Sequence, residues 1–407
     1  MPFVKSSSLA RLTILFFNGA GRGEWWSACP EYAILKPIEN LEQRPAHRSL
    51  PVRRAVHRKG GTAMGYSLND RETDALFDRL AAEYKIYAPK RFAKQGRYSD
   101  TDIVRYDEIH AVEEIVWDKK SDFSAKEVLT PVTEPIFYFT EDEYRESGAP
   151  KKKILIFLRP CDINAFEHQD RIYLGNGGFC DSYYQRMREK TRFVLMECTE
   201  GWDTCFCCSM GANRTEEYSA AVRRTEEGIL WSVKDEELAP YFAGCEEADW
   251  QLQFIEKNQF EVKIPEIADK ETLAKLKKHP MWQEYNDRCV SCGSCTLACS
   301  TCTCFTTRDK IYSENAKAGE RRRVLDSCQI PGFDAMAGGH GFRTTPADRI
   351  RYRALHKVHD YKARFGDYHM CVGCGRCSAR CPKFISFPAI INKMSAALEE
   401  IAAEASK

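Results

Sequence analysis

The sequence predicts an α+β protein: a mixed α/β N-terminal domain followed by a mostly helical C-terminal domain. Three observations carry this. Short apolar runs such as Lys152–Leu158 and Arg192–Met196 alternate with helical patterns through the middle of the chain. From residue 266 onward, amphipathic helical patterns dominate. That second part also holds two cysteine runs of one form, Cys289, Cys292, Cys295, Cys299 and Cys371, Cys374, Cys377, Cys381. The domains are expected at 64–265 and 266–407.

Residues 1–63 follow no helical or strand period. Leu9–Phe17 could form a signal-peptide core, but Arg11 interrupts it. Met64 is expected to be the true start, with 1–63 a non-native or disordered leader. The codons for Lys59-Gly60-Gly61 can spell a purine-rich ribosome-binding site just upstream. A targeting leader is the alternative. The 407-residue chain has a net charge of +1; without the leader it carries 50 basic and 55 acidic residues, net −5.

The elements follow in order. Asn69-Asp70-Arg71-Glu72 is a capping box, and Leu76, Phe77, Leu80, Ala81 and Tyr84 form the apolar face of the helix it opens. Lys85–Tyr87 reads as a short strand before Pro89. Ile115–Trp117 and Ile136–Phe139 read as strand fragments broken by Pro131 and Pro135. Lys152–Leu158 is a buried strand, followed by a helix over Asp162–Arg171. Arg192–Met196 is another strand, and Gly228–Val233 pairs with the segment before it. A helical pattern runs from Asp269 to Asp287, interrupted at Pro280, and leads into Cys289. Between the cysteine runs, Arg349–Arg364 is a basic helical stretch. Ala389–Ala405 is an amphipathic helix with Ile390, Met394, Leu398 and Ile401 on one face.

Bulk composition is that of a soluble globular protein, with 43% hydrophobic and 29% charged residues. The near-neutral charge implies neither a nucleic acid nor a membrane partner, and the longest apolar runs are too short to span a bilayer. An odd count of 19 cysteines in a long chain argues against a disulfide framework and for thiols that serve metals in a reducing, cytoplasmic setting.

Both runs read C-x2-C-x2-C-x3-C, and Pro382 gives the second the C-P ending of bacterial ferredoxins. Three thiolates at three-residue spacing can wrap one corner of an iron–sulfur cube, and the fourth reaches the other cluster. A ferredoxin-like domain with two [4Fe–4S] clusters is therefore expected. Cys289, Cys292, Cys295 and Cys381 hold one; Cys371, Cys374, Cys377 and Cys299 hold the other. A zinc ribbon needs only two C-x2-C pairs, so a zinc-stabilised binding module is the rival of another class.

A second group contains Cys161, Cys198, Cys205, Cys207 and Cys208. Cys161 and Cys198 each follow a predicted strand. If those strands are parallel neighbours, their ends lie together where open sheets place ligands. A third [4Fe–4S] cluster on Cys161, Cys198, Cys205 and Cys207, with Cys208 as the substitute for Cys207, competes with buried thiols and with zinc. Cys302, Cys304 and Cys328 are expected to pack near a cluster without ligating it; the alternative is that one of them replaces a ligand, because Ser300 and not proline follows Cys299. Cys29, Cys180 and Cys245 have no partners at metal spacing. The basic stretch Arg349, Arg351, Arg353, His356, Lys357, Lys362, Arg364, together with Arg321–Arg323, suits either a solvated surface or cations that offset cluster charge. Gly175–Gly178 and Gly338–Gly341 match no dinucleotide or phosphate fingerprint. No flavin or nucleotide is expected on this chain, so electrons must come from a partner.

From Met64 onward the chain resembles the family of iron–sulfur electron-transfer subunits of anaerobic sulfite reductase. The resemblance rests on Tyr98–Asp102, Arg159–Asn164, Cys205-Phe206-Cys207 with Ser209-Met210-Gly211, and Arg288–Cys295. It continues through Gly319–Arg323, Ala337–Arg343 and His369–Cys381. Beta subunits of soluble hydrogenases are similar more loosely, sharing the C-F-C element and both runs. The resemblance implies an electron carrier without catalytic residues of its own. Its partners would be a flavin subunit that oxidises NADH and a sirohaem subunit that reduces sulfite to sulfide. It also strengthens the third cluster. Cys208, and Ser300 in place of the usual proline after Cys299, depart from the family pattern and put the third ligand set and the cross-over ligation in question.

Overall fold

The computed structural model describes residues 64–405 except Ala149 and Ser313. The leader, Cys29 and the proposed start lie outside the described residues or at their edge. Twelve strands are described: β1 (Met64–Leu68), β2 (Tyr84–Phe92), β3 (Ile103–Glu108), β4 (Thr133–Phe139), β5 (Tyr144–Glu146), β6 (Lys153–Leu158), β7 (Thr191–Met196), β8 (Ala220–Arg224), β9 (Ile229–Val233), β10 (Glu246–Glu247), β11 (Phe305–Ile311) and β12 (Gly319–Leu325). Eight form one sheet in the order β10-β1-β9-β8-β7-β6-β2-β3, and four form a second in the order β11-β12-β4-β5. Strands β2, β6, β7 and β8 run parallel; the other pairings are antiparallel. The architecture is α+β, as its sequence predicts.

Strand β6 explains the large sheet. Leu155 and Phe157 pack on one face with Leu76, Phe77, Leu80 and Trp231. Ile154, Ile156 and Leu158 pack on the other with Phe166 and Tyr184. A parallel strand covered on both faces must be apolar throughout, which is why it reads as a continuous run. The helix that covers the first face, Asp70–Leu80, starts at the capping box: Asn69 Oδ1 accepts from the Glu72 amide at 2.9 Å, and Glu72 Oε2 accepts from the Asn69 amide at 2.8 Å.

Several elements depart from expectation. Strand β2 continues through Pro89, because β6 pairs only with Tyr84–Tyr87 and needs no amide beyond. Ile115–Trp117 is not a strand; Ile115 makes one isolated bridge to Lys90 after a 3-10 turn at Val112–Glu114. Strand β4 runs through Pro135, where its pairing with β12 is irregular: Arg321 faces Phe137 and Arg322 faces Pro135. The hairpin β11–β12 between the two cysteine runs has no counterpart in the sequence-based expectation. Its Arg321–Arg323 belong to a strand in which Arg323 is buried against Glu134 and Asp181.

Helices carry the rest of the C-terminal part, over Lys270–Lys278, Glu284–Arg288, Pro346–Leu355, Tyr361–Phe365 and Phe387–Ala405. Their core joins Leu276, Trp282, Ile350, Ile390, Ile391 and Met394 to Ala165 and Phe206 from the N-terminal part. The boundary at residue 265 therefore falls inside one packed unit, and the small sheet draws strands from both sides of it. Among the described residues no helix is long and apolar enough to cross a membrane.

Candidate metal centres

The two runs fold alike. In the first, the Ser291 amide lies 3.4 Å from Cys289 Sγ; in the second, the Gly373 amide lies 3.4 Å from Cys371 Sγ. Both turns use left-handed backbone at the same two steps, Ser291 and Gly293 in one, Gly373 and Gly375 in the other. A short helix follows each, over Ser294–Leu297 and Arg376–Ala379. Left-handed steps turn successive amides inward, and inward amides suit an anionic group.

Cys289, Cys292, Cys295 and Cys381 line one pocket, closed by Ile350, Arg353, Ile385, Phe387 and Ile390. Cys381, from the other run, thus lies in one pocket with the first three thiols of the first run. Cys377 also reaches this pocket, so the second site adjoins it. At the second site, burial pushes the Cys371 thiol up, and Cys377, Cys299 and Cys374 add to the effect. Burial likewise pushes Cys295 up to about 12. Such thiols stay protonated near neutrality until a metal displaces the proton. Among the described residues, no three His, Cys, Asp or Glu side chains converge as a single metal ion would require.

The third group also assembles. Strands β6 and β7 are parallel neighbours, with Leu158 opposite Leu195. Cys161 lies in the first turn of the helix Pro160–Gly175, and Cys198 follows β7. Cys161, Cys198, Cys205 and Cys207 line one pocket with Lys120, Arg159, Trp202, Asn213 and Arg376. Burial pushes Cys207 up to about 12. Asn258 Nδ2 donates to Cys207 Sγ at 3.6 Å. Cys208 lies outside the pocket lining, with Sγ 3.7 Å from the Ile255 carbonyl.

The surrounding charge tests whether an anionic cluster fits. Lys126, Arg349, Arg353 and Lys357 are each at most 4% exposed. Among the described residues, none pairs with a carboxylate, and the Nε atoms of Arg349 and Arg353 have no partner. An isolated buried cation is costly. Thiols stand beside three of them, Lys126, Arg353 and Lys357. Arg353 faces Cys295, Cys377, Cys302 and Cys299, and Lys357 faces Cys299, Cys302 and Cys371. Burial works against the Lys357 charge, but attraction led by the Cys299 thiolate more than offsets it and raises its pKa. For Lys126, burial wins over the attraction of Cys302 and Cys299, and its pKa falls. Four-thiolate cubanes carry negative charge, so this donor set and its cationic surround fit them. Part of the basic stretch is therefore interior, not a solvated face.

The Cys302 thiol lies beside Cys299, and Cys304 beside Cys328. Cys180 is exposed and bonds to Gln185. Sequence reasoning missed Lys120 and Lys126, which sit in no motif, and Arg376, which is hidden inside the second run. It also missed the partners Asp162 and Ser300.

The site defines a class: an iron–sulfur electron-transfer protein. Residues 288–385 match the family described as 4Fe-4S dicluster domain, which provides for two [4Fe–4S] clusters. Over 335 residues the chain is 29% identical to Sulfhydrogenase 2 subunit beta of Pyrococcus furiosus, covering 78% of this chain and 95% of that one. No solved structure matches. The chain is an iron–sulfur electron-transfer subunit related to that hydrogenase beta subunit.

Proposed function

We propose that this chain is the electron-transfer subunit of a cytoplasmic, NADH-dependent anaerobic sulfite reductase, set between a flavin-bearing partner and a sirohaem-bearing one. Residues 64–265 carry a third [4Fe–4S] site on Cys161, Cys198, Cys205 and Cys207, and 266–407 carry the two ferredoxin-type sites. Bound clusters supply one-electron carriage; the chain supplies thiolates, burial and cations. The carrying observation is the gathering of twelve cysteines into three adjoining groups without a recognisable nucleotide motif. The motif stretches from Tyr98–Asp102 to His369–Cys381 favour the sulfite reductase.

A second reading is the beta subunit of a soluble hydrogenase, which the likeness to the sulfhydrogenase subunit favours equally. Purification with native partners separates the two: a sirohaem protein supports the first, a nickel–iron subunit the second. About 12 iron per chain is expected, or about 8 without the third cluster. Near-stoichiometric zinc with little iron would overturn both readings. Cys205→Ser should remove one reduced-cluster signal and leave two. The isolated chain should not oxidise NADH with a dye acceptor.

A further inference from the structure

The second and third thiol groups touch through their loops. The Phe206 amide donates to the Gly373 carbonyl at 2.8 Å. Lys120 Nζ donates to the Cys374 carbonyl at 2.7 Å and lies 3.4 Å from Cys205 Sγ. The first group meets the second through Cys377 but shares no lining residue with the third. The group at Cys371 is therefore the middle one.

A buried ion pair occupies the junction. Arg376, 1% exposed, donates to Asp162 Oδ1 at 2.5 Å and Oδ2 at 2.7 Å. It also donates to Ser300 Oγ at 3.0 Å and to Ser121 Oγ at 2.9 Å. Ser300 Oγ donates to Asp162 Oδ1 at 2.9 Å and lies 3.8 Å from Cys374 Sγ. Three members adjoin a thiol in sequence: Asp162 follows Cys161, Ser300 follows Cys299, and Arg376 precedes Cys377. The serine in place of proline thus supplies a hydroxyl that ties the network together. Replacing such a pair with apolar groups is often neutral or stabilising, so stability alone is a weak reason for it.

We propose that Arg376 and Asp162 are positioning residues that set the reduction potentials of the middle and third clusters jointly, leaving the cluster at Cys289 apart. This rests on the third site of the proposed function. Reduction adds a negative charge, so a nearby cation favours it and a nearby anion opposes it. Both charges lie in a low-dielectric junction within reach of Cys161 and Cys374.

The test is a redox titration of the purified, loaded chain followed by electron paramagnetic resonance, with signals assigned through Cys205→Ser and Cys292→Ser. Arg376→Gln should lower two potentials, each by at least a tenfold change in the oxidised-to-reduced ratio, about 59 mV for one electron. Asp162→Asn should raise the same two. The double variant should return both towards the parent, and Arg376→Lys should shift them least. A shift in one couple only, an equal shift in all three, no shift, or a double variant that stays displaced would overturn the inference. If Arg376→Gln fails to load iron, the rise of the same two potentials in Asp162→Asn, with the third unmoved, carries the test. Loss of the reading beneath it looks different: the parent chain would hold about 8 iron and show two signals.

Discussion

The Cβ that Gly375 lacks would lie 2.1 Å from the carbonyl oxygen of Thr204. The Thr204 backbone leaves no room to yield, and Gly375 also has a φ of +71°. Gly375→Ala should therefore push apart the loops of the middle and third sites. It should cost upwards of about 2 kcal/mol and take iron from both, leaving about 4 per chain. Gly366→Ala is the control: its φ is +95° but nothing stands within 4 Å. It should lose roughly 1 kcal/mol and no iron. Iron analysis and thermal unfolding check both.

Lys357→Met should be felt in two forms of the protein. In the metal-free chain it removes the cation that the Cys299 thiolate holds, and stability should fall by about 1–3 kcal/mol. In the loaded protein it removes positive charge beside Cys299 and Cys371. The potential of the middle cluster should fall. Urea unfolding of the metal-free chain and a redox titration of the loaded one make the comparison.

Stability should rise with pH between about 4.5 and 6.5. Burial pushes His168 and His356 down to about 4, and it pushes Glu167 up to about 7. In this window the unfolded chain holds two imidazole protons that the folded chain lacks. The folded chain holds one carboxyl proton that the unfolded chain has lost. Across these three groups the unfolded state thus binds about one more proton, and together they contribute about 1.4 kcal/mol of stability per pH unit. His356→Gln should flatten that slope, as read from urea midpoints under argon at pH 5 and 6.

Cys208→Ser should leave the iron content and cluster signals of the parent chain unchanged, because the Cys208 thiol turns to the Ile255 carbonyl. Loss of the third signal in this variant, but not in Cys207→Ser, would exchange their roles.

Much of the architecture was legible from local signals. The capping box at Asn69, the continuous apolar text of β6 and the break at Pro280 each follow from short-range chemistry. The cysteine spacing marked the two runs, since three cysteines of each lie within seven residues. Long-range pairing was not legible. Strand β12 joins β4 across nearly two hundred residues, and nothing in Gly319–Leu325 marks that partner. The interior cations were hidden for a related reason. Lys126 and Arg353 are residue types common at surfaces; inside, Lys126 donates to the Thr296 and Cys302 carbonyls and Arg353 faces the gathered thiols.

The pairing of β12 with β4 also constrains engineering. A fragment cut at residue 266 would strip β12 of the strand it pairs with from Thr133 to Phe139. It would bare one edge of a hairpin and orphan Arg323, whose carboxylates Glu134 and Asp181 lie upstream. An exposed hairpin edge recruits other chains. The cysteine-rich half is thus no portable ferredoxin cassette for fusion proteins; it would need its upstream neighbour to stay monomeric.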